Sequence, residues 1–350
     1  MSRTEQIGEL AATPGPCITI ALAGNDLGDT VIEQKDAINA VRKQLASRKV
    51  DSDELLAPLL AAGAQARGGT VFLRAPGVMQ IHRVPAVAPL VRVGDRFDLR
   101  TILAILDAHQ AFYILALSQK RTRLLKCTRQ SSEEIPFPAG FAAGLADAMQ
   151  TRDDSPKDTR TTGGPSEYLL HFFMDLEKAV NAVLQNATAP LIPVGVEHEV
   201  ALYRRVNHYA HLVEPGVHGS PDALESGELQ LRALEILDQR AQQPGLEVPS
   251  DFDKRVGTGH ASLHIQEIVA AAYEGRASNL FFQPAATYMG TYDAVRRLVK
   301  RTDDPLDSPI DLIEAAGWQI IIQGGEAKLL PASAMPNGVP VCALFRYSAK

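Results

Sequence analysis

Short apolar, β-branched runs alternate with stretches of helical periodicity along this chain, and that alternation restricts it to a mixed α/β architecture. The clearest instance lies near the centre. Residues 112–117 and 122–127 read as two strands around the polar turn Ser118-Gln119-Lys120-Arg121, a hairpin. Further on, Leu169, Phe173, Leu176, Val180 and Val183 recur at three- and four-residue spacing, which builds one apolar stripe on a helix. A buried strand over 191–196 and a helix over 197–206 follow. No apolar run approaches the roughly 20 residues that a membrane helix needs. The polar start of the chain also lacks the basic-then-apolar pattern of a secretory signal. A soluble, cytoplasmic protein is expected.

With 350 residues, the chain has the length of two or three domains. Residues 1–96 read as a small α+β domain: a strand over 17–23, helices over 31–48 and 52–66, and strands over 70–74, 78–83 and 87–93. Asp95-Arg96-Phe97-Asp98 punctuates the chain, and a second domain, 97–218, opens with a helix over 99–109. Within it, residues 129–165 are polar and rich in turn formers, with only 141–149 suited to a short helix. A third domain, 219–350, has helical patterns over 225–242, 248–256 and 262–274, a strand over 279–283, and a terminal strand over 341–346. Residues 310–316 read as a helix that Gly317 ends, before a strand over 318–322. This alternation implies a three-layer α/β/α sandwich.

The formal net charge of −6 argues against bulk polyanion binding, so any nucleic-acid contact must be local. Lys120, Arg121, Arg123, Lys126 and Arg129 form one basic run, on a hairpin that could equally be solvated. Arg296, Arg297, Lys300 and Arg301 form another, read as a helix end, where the dipole already favours cations. Cys17, Cys127 and Cys342 stand far apart and read as buried thiols in a reducing compartment. His260 and His264, with Glu267, and His208 with His211 lack convincing ligand spacing, so no metal is assigned. The central strands carry no carboxylate for a two-metal nuclease, and Gly24-Asn25-Asp26-Leu27-Gly28 lacks the lysine of a phosphate-binding loop. No cofactor is expected.

Residues 160–186 begin Arg-Thr-Thr-Gly-Gly-Pro-Ser-Glu-Tyr and run straight into the striped helix. The order hairpin, long loop, Gly163-Gly164, helix, strand resembles the middle domain of the class 1 archaeo-eukaryotic release factors, whose loop carries Gly-Gly-Gln, and of the related Pelota. Thr258-Gly259-His260-Ala261-Ser262, Glu274-Gly275-Arg276-Ala277 and Asn279-Leu280-Phe281-Phe282 resemble that superfamily's C-terminal domain. Arg96-Phe97, Phe112-Tyr113, Gly195-Val196-Glu197 and Tyr203-Arg204 bring the chain closest to a bacterial branch, family 3. The resemblance implies an RNase H-like fold for 97–218. It also implies, for 219–350, a fold like that of the kink-turn-RNA-binding ribosomal proteins.

The resemblance further implies a translation factor with the ribosome or tRNA as partner and a translational GTPase as a further candidate. Neither a membrane nor DNA is expected as a partner. Two departures qualify this. Pro165 stands where the family has its catalytic glutamine, and proline offers neither a side-chain amide nor a backbone N–H. No Asn-Ile-Lys-Ser motif appears in the first domain, so stop-codon reading is not implied. The expected role is therefore ribosome rescue or hibernation without Gln-dependent hydrolysis, and no catalytic residue is assigned. Gly163, Gly164, Pro165 and Ser166 form the degenerate loop, although an ordinary Gly-Gly turn before a helix is the plainer alternative. Lys120, Arg121, Arg123, Arg129, Arg160, Arg296 and Arg297 are the candidate RNA contacts. Two alternatives stay open: peptidyl-tRNA ester hydrolysis through Ser166 or Glu167, and a non-ribosomal interaction scaffold.

Overall fold

The N-terminal strand Cys17–Leu22 (β1) is buried along its whole length because both faces of its sheet are covered. We describe it from a computed structural model, in which residues 3–23, 27–51, 53–61, 69–84, 87–153, 165–243, 247–302, 304 and 310–348 are placed. Helix α1 (Arg3–Ala12) precedes β1, and α2 (Leu27–Ser47) and α3 (Asp53–Ala61) follow it. Then come β2 (Gly69–Ala75), β3 (Val78–Val84), β4 (Leu90–Gly94) and α4 (Leu99–Ala108). The sheet order is β3-β2-β1-β4, antiparallel throughout. Ile18, Ile20 and Leu22 pack under Ile38, Val41 and Leu45 of α2, while Cys17 and Ala21 point to the opposite core. The polar-looking start of the chain thus contains a helix that sequence reading missed, with Ile7 and Leu10 buried.

The middle stretch contains β5 (Phe112–Ala116), β6 (Arg123–Cys127), β7 (Ser132–Ile135), α5 (Leu145–Asp153), α6 (Pro165–Leu184), β8 (Leu191–Gly195), α7 (Glu197–Val206), β9 (Val217–His218) and α8 (Ser226–Ala241). Its sheet runs β7-β6-β5-β8-β9. The first three strands are antiparallel, and β5, β8 and β9 are parallel. Helices α6 and α7 pack on one face through Leu169, Phe173, Leu176 and Tyr203. Helix α8 packs on the other, with Leu229 and Ala233 against Ile114, Ala116 and Ile192. Each large apolar side chain so buried contributes roughly 1.5–3 kcal/mol. The stretch expected to be nearly structureless carries both β7 and α5.

The C-terminal stretch contains α9 (Phe252–Gly257), β10 (Ala261–Ser262), α10 (Ile265–Tyr273), β11 (Ala277–Phe282), β12 (Met289–Asp293), β13 (Leu298–Arg301), β14 (Ile310–Asp311), α11 (Leu312–Ile322), β15 (Glu326–Leu329) and β16 (Val341–Phe345). One sheet runs β10-β16-β11-β15; a second, small sheet runs β13-β12-β14. Period-two alternation divides the first sheet's side chains between two cores. Leu280, Phe282, Ala343 and Phe345 meet α10 and α11, whereas Phe281, Cys342 and Leu344 meet Phe252 of α9. Helices thus cover both faces.

One sequence expectation changes here. Residues 318–322 are not a strand: α11 continues through Gly317 to Ile322. The run is buried nearly all round, and apolar content without periodicity does not distinguish a buried helix from a buried strand. The chain groups into two compact units, Met1–Ala108 with Arg240–Lys350, and His109–Gln239. Helix α4 places Leu99, Ile102 and Leu103 in one core with Ile268, Ala316 and Trp318, while α8 packs on the middle sheet.

Candidate functional site

Helix α6 begins at Pro165. A proline suits a helix start because the first amides have no intrahelical acceptor and its φ is already helical. Phe172, Phe173, Leu176 and Val180 then face the sheet, and Phe173 meets Tyr203 edge-to-face at 6.2 Å. One turn on from Phe173, Glu177 is buried and accepts from the His208 backbone N–H (3.2 Å). The His208 ring nitrogen Nδ1 lies 2.9 Å from the same carboxylate oxygen, and Asn181 also donates to it. His208 is thereby tied to a structural carboxylate. Gly163, Gly164 and Arg160 lie outside the described residues, as do the side chains of Pro165 and Ser166.

Beside the first half of α6 lies a cavity of about 180 Å³, lined by Phe141, Leu145, Met149, Tyr168, Phe172 and Asp175. Phe141 is its hub, 4.8 Å from Phe137 and stacked on Phe172 at 6.0 Å between ring centroids. Sequence reading missed this feature. Its residues come from a loop and from two helices that only folding brings together.

The basic candidates divide by environment. Arg123 donates to the carbonyls of Pro221 (2.8 Å) and Leu224 (2.9 Å), so its guanidinium ties β6 to the chain ahead of α8. Arg129 pairs with Asp238 at 2.6 Å, and Arg121 with Glu134 at 2.7 Å. Lys120 stands 3.9 Å from Asp222 and is largely exposed. Arg296 and Arg297 do not lie at a helix end, as expected from the sequence. They form the turn of the β12–β13 hairpin, where Arg297 has φ +54°. Their side chains are 80% and 69% exposed, with Asp293 3.8 Å and Glu274 3.1 Å away. The run misled because Val295, Leu298 and Val299 around the arginines fit a helix as well as a hairpin.

Besides Glu177, three further buried carboxylates were not singled out from sequence. Glu199, in the first turn of α7, accepts from Gln119 at 3.0 Å. Burial pushes its pKa up against the lowering effect of that bond. Asp98 caps α4, accepting from the backbone and hydroxyl of Thr101 at 2.8 and 2.7 Å. Glu314 of α11 accepts from the Leu99 N–H at 2.9 Å and pairs with Arg92, which also reaches Asp98 at 3.0 Å. The three cysteine thiols are buried, as expected. Burial pushes Cys17 up to about 11 and Cys127 and Cys342 up to about 12. Among the described residues, no group of three or more His, Cys, Asp or Glu is placed to hold a metal ion. No described helix is long and apolar enough to cross a membrane.

Residues 111–276 match the model of the bacterial archaeo-eukaryotic release factor family 3. That bears out the resemblance read from the Gly-Gly-Pro region and its flanks, over somewhat less than half of the chain. No curated protein matches the chain. Among solved structures, Saccharomyces cerevisiae Dom34, described as a translation termination-like factor, aligns at 13% identity over 97% of this chain and 98% of its own, with a TM-score of 0.43. A ribosome-bound archaeal Pelota aligns at 10% identity over 99% and 95%, with a TM-score of 0.41. The archaeal termination factor aRF1 aligns at 12% identity over 99% of both chains, with a TM-score of 0.25. Superpositions this loose carry no argument about function.

Proposed function

We propose that this chain is a translation factor of the release-factor type, one that associates with the ribosome or a tRNA and lacks Gln-dependent ester hydrolysis. One observation carries the reading. Within the segment that matches the family 3 model, Gly163-Gly164 leads into a helix whose first residue is Pro165. On this reading, Pro165 stands where the class 1 release factors carry their glutamine, and proline has no amide to orient a water. Two glycines let a backbone approach RNA closely, and that capacity needs no glutamine. The strand order of the middle unit, with the first strand central and flanked by the second and the fourth, supports reading it as RNase H-like.

Rescue or hibernation suits such a factor better than stop-codon termination. The candidate RNA contacts with the most exposed charge are Lys120, Arg121, Arg296 and Arg297, since Arg123 is spent on backbone carbonyls. A translational GTPase remains a candidate partner.

Cosedimentation with purified 70S ribosomes at low salt tests the association, and its absence overturns the reading. A peptidyl-tRNA release assay tests the chemistry. Wild type is expected to show no release above background. Release that depends on Gly164 would instead favour hydrolysis through a neighbouring residue.

A further inference from the structure

Helix α2 turns its apolar side, through Ala37, Ile38, Val41 and Leu45, to the N-terminal sheet and its opposite side to solvent. On that outer side stand Lys35, Arg42 and Lys43, with Lys49 just past the helix end at φ +57°. Lys35, Asn39, Arg42, Lys43 and Ala46 keep three- and four-residue spacing, so they share one face. The side chains of Lys35, Arg42, Lys43 and Lys49 make no ion pair or hydrogen bond among the described residues. Arg48 pairs with Asp95 at 3.3 Å, but that carboxylate is 99% exposed and water screens the pair. The exposed residues between 31 and 49 include one carboxylate, Asp36. Ordinary causes do not explain these cations. A solvated helix face pairs a cation with a carboxylate three or four residues away. Positions 31, 32, 38 and 39 around Lys35 hold none, nor do 38–40 and 45–47 around Arg42 and Lys43. The negative helix end attracts cations over its last turn, and Lys35, Arg42 and Lys43 precede that turn. A general excess of cations is not the cause either, since the chain carries a net charge of −6.

Unpaired cations fixed along one face of a helix suit a polyanion. At 1.5 Å per residue, Lys35 to Lys43 spans about 12 Å of that face. An acidic peptide is the weaker occupant, because each exposed carboxylate–cation contact gains little in water. A nucleic-acid backbone carries condensed counterions, and their release drives binding even at a fully solvated face. Single strands are held largely by bases stacked on aromatic side chains, and α2 has no aromatic residue. Duplex RNA is recognised by its shape and backbone instead. We propose that the outer face of α2 binds the phosphate backbone of double-stranded RNA, with Lys35, Arg42, Lys43 and Lys49 each neutralising a phosphate and no base being read. The choice of RNA over DNA rests on the translation reading above; the α2 contact itself does not.

The test is fluorescence anisotropy of the full chain with a short labelled RNA duplex, titrated from about 50 to about 200 mM salt. The duplex is expected to bind saturably, and the log–log salt slope to be at least about 3 in magnitude, as four neutralised phosphates require. Arg42→Ala with Lys43→Ala is expected to lower that slope by about two and to weaken binding by roughly tenfold or more at the lower salt. Lys35→Ala with Lys49→Ala is expected to lower the slope by about as much. All four positions are exposed, so urea unfolding of both variants is expected to match wild type. The inference falls if the duplex does not bind, or if slope and affinity are unchanged in both variants. It also falls if poly(U) binds more tightly than the duplex through these residues, or if polyglutamate displaces the duplex at equal charge concentration. Ribosome cosedimentation separates this inference from the reading above. If ribosomes bind the chain and the duplex does not, this inference falls and that reading stands. If the duplex binds through α2 and ribosomes do not, that reading falls and this inference stands.

Discussion

At the scale of single residues, Glu314 shows how burial and pairing oppose each other. Burial pushes its pKa up, against the lowering effect of Arg92 and of the Leu99 amide. A carboxyl with a raised native pKa holds its proton more tightly folded than unfolded. Its contribution to stability is therefore complete below the ordinary carboxylate range and is lost as pH rises through the native value. Glu314→Gln removes that titration while keeping an oxygen for the Leu99 amide. Relative to wild type, the variant is expected to gain stability from acid to neutral pH, as read by urea unfolding at each. A shift the other way would mean that the Arg92 pair outweighs burial. None of this was legible beforehand. Glu314 and Arg92 are separated by more than two hundred residues, and Asp98 reads as punctuation until its bond to Thr101 makes it a helix cap.

Among the elements, legibility followed periodicity. Helix α6 was readable because its stripe keeps helical spacing, β5 and β8 because they are short apolar runs, and β6 because it follows a polar turn after β5. Helix α11 failed the same rules because it is buried nearly all round and Gly317 looked like a stop. Its glycine answers to packing. A Cβ there would run into Leu99 Cδ2 and stand 3.3 Å from Leu280 Cδ2. In an exposed helix, Gly→Ala gains about 1 kcal/mol. Here overpacking reverses the sign, and Gly317→Ala is expected to cost about 1–3 kcal/mol. Chemical denaturation of the variant measures it; a gain in stability would show that Leu99 moves aside freely.

For the whole molecule, the first 108 residues and the last 111 build one core, and residues 109–239 build their own. Fragments test this directly. A chain of residues 109–239 is expected to unfold cooperatively by itself. A chain of residues 219–350 is expected not to, because Ile268, Ala316 and Trp318 would lose Leu99, Ile102 and Leu103. Cooperative melting of the second fragment would show that residues 219–350 fold as a domain by themselves.

Sequence alone determined what depends on neighbours along the chain: the alternation of strand and helix, the buried thiols, the release-factor order of elements, and Pro165 after Gly163-Gly164. These are local patterns and residue identities, and folding does not alter them. Tertiary structure decided which cations are spent on carbonyls, which face the solvent, and that the two ends of the chain share a core. It also turned an apparent helix end into the Arg296–Arg297 hairpin. Those outcomes depend on partners far apart in the chain, and only packing brings such partners together.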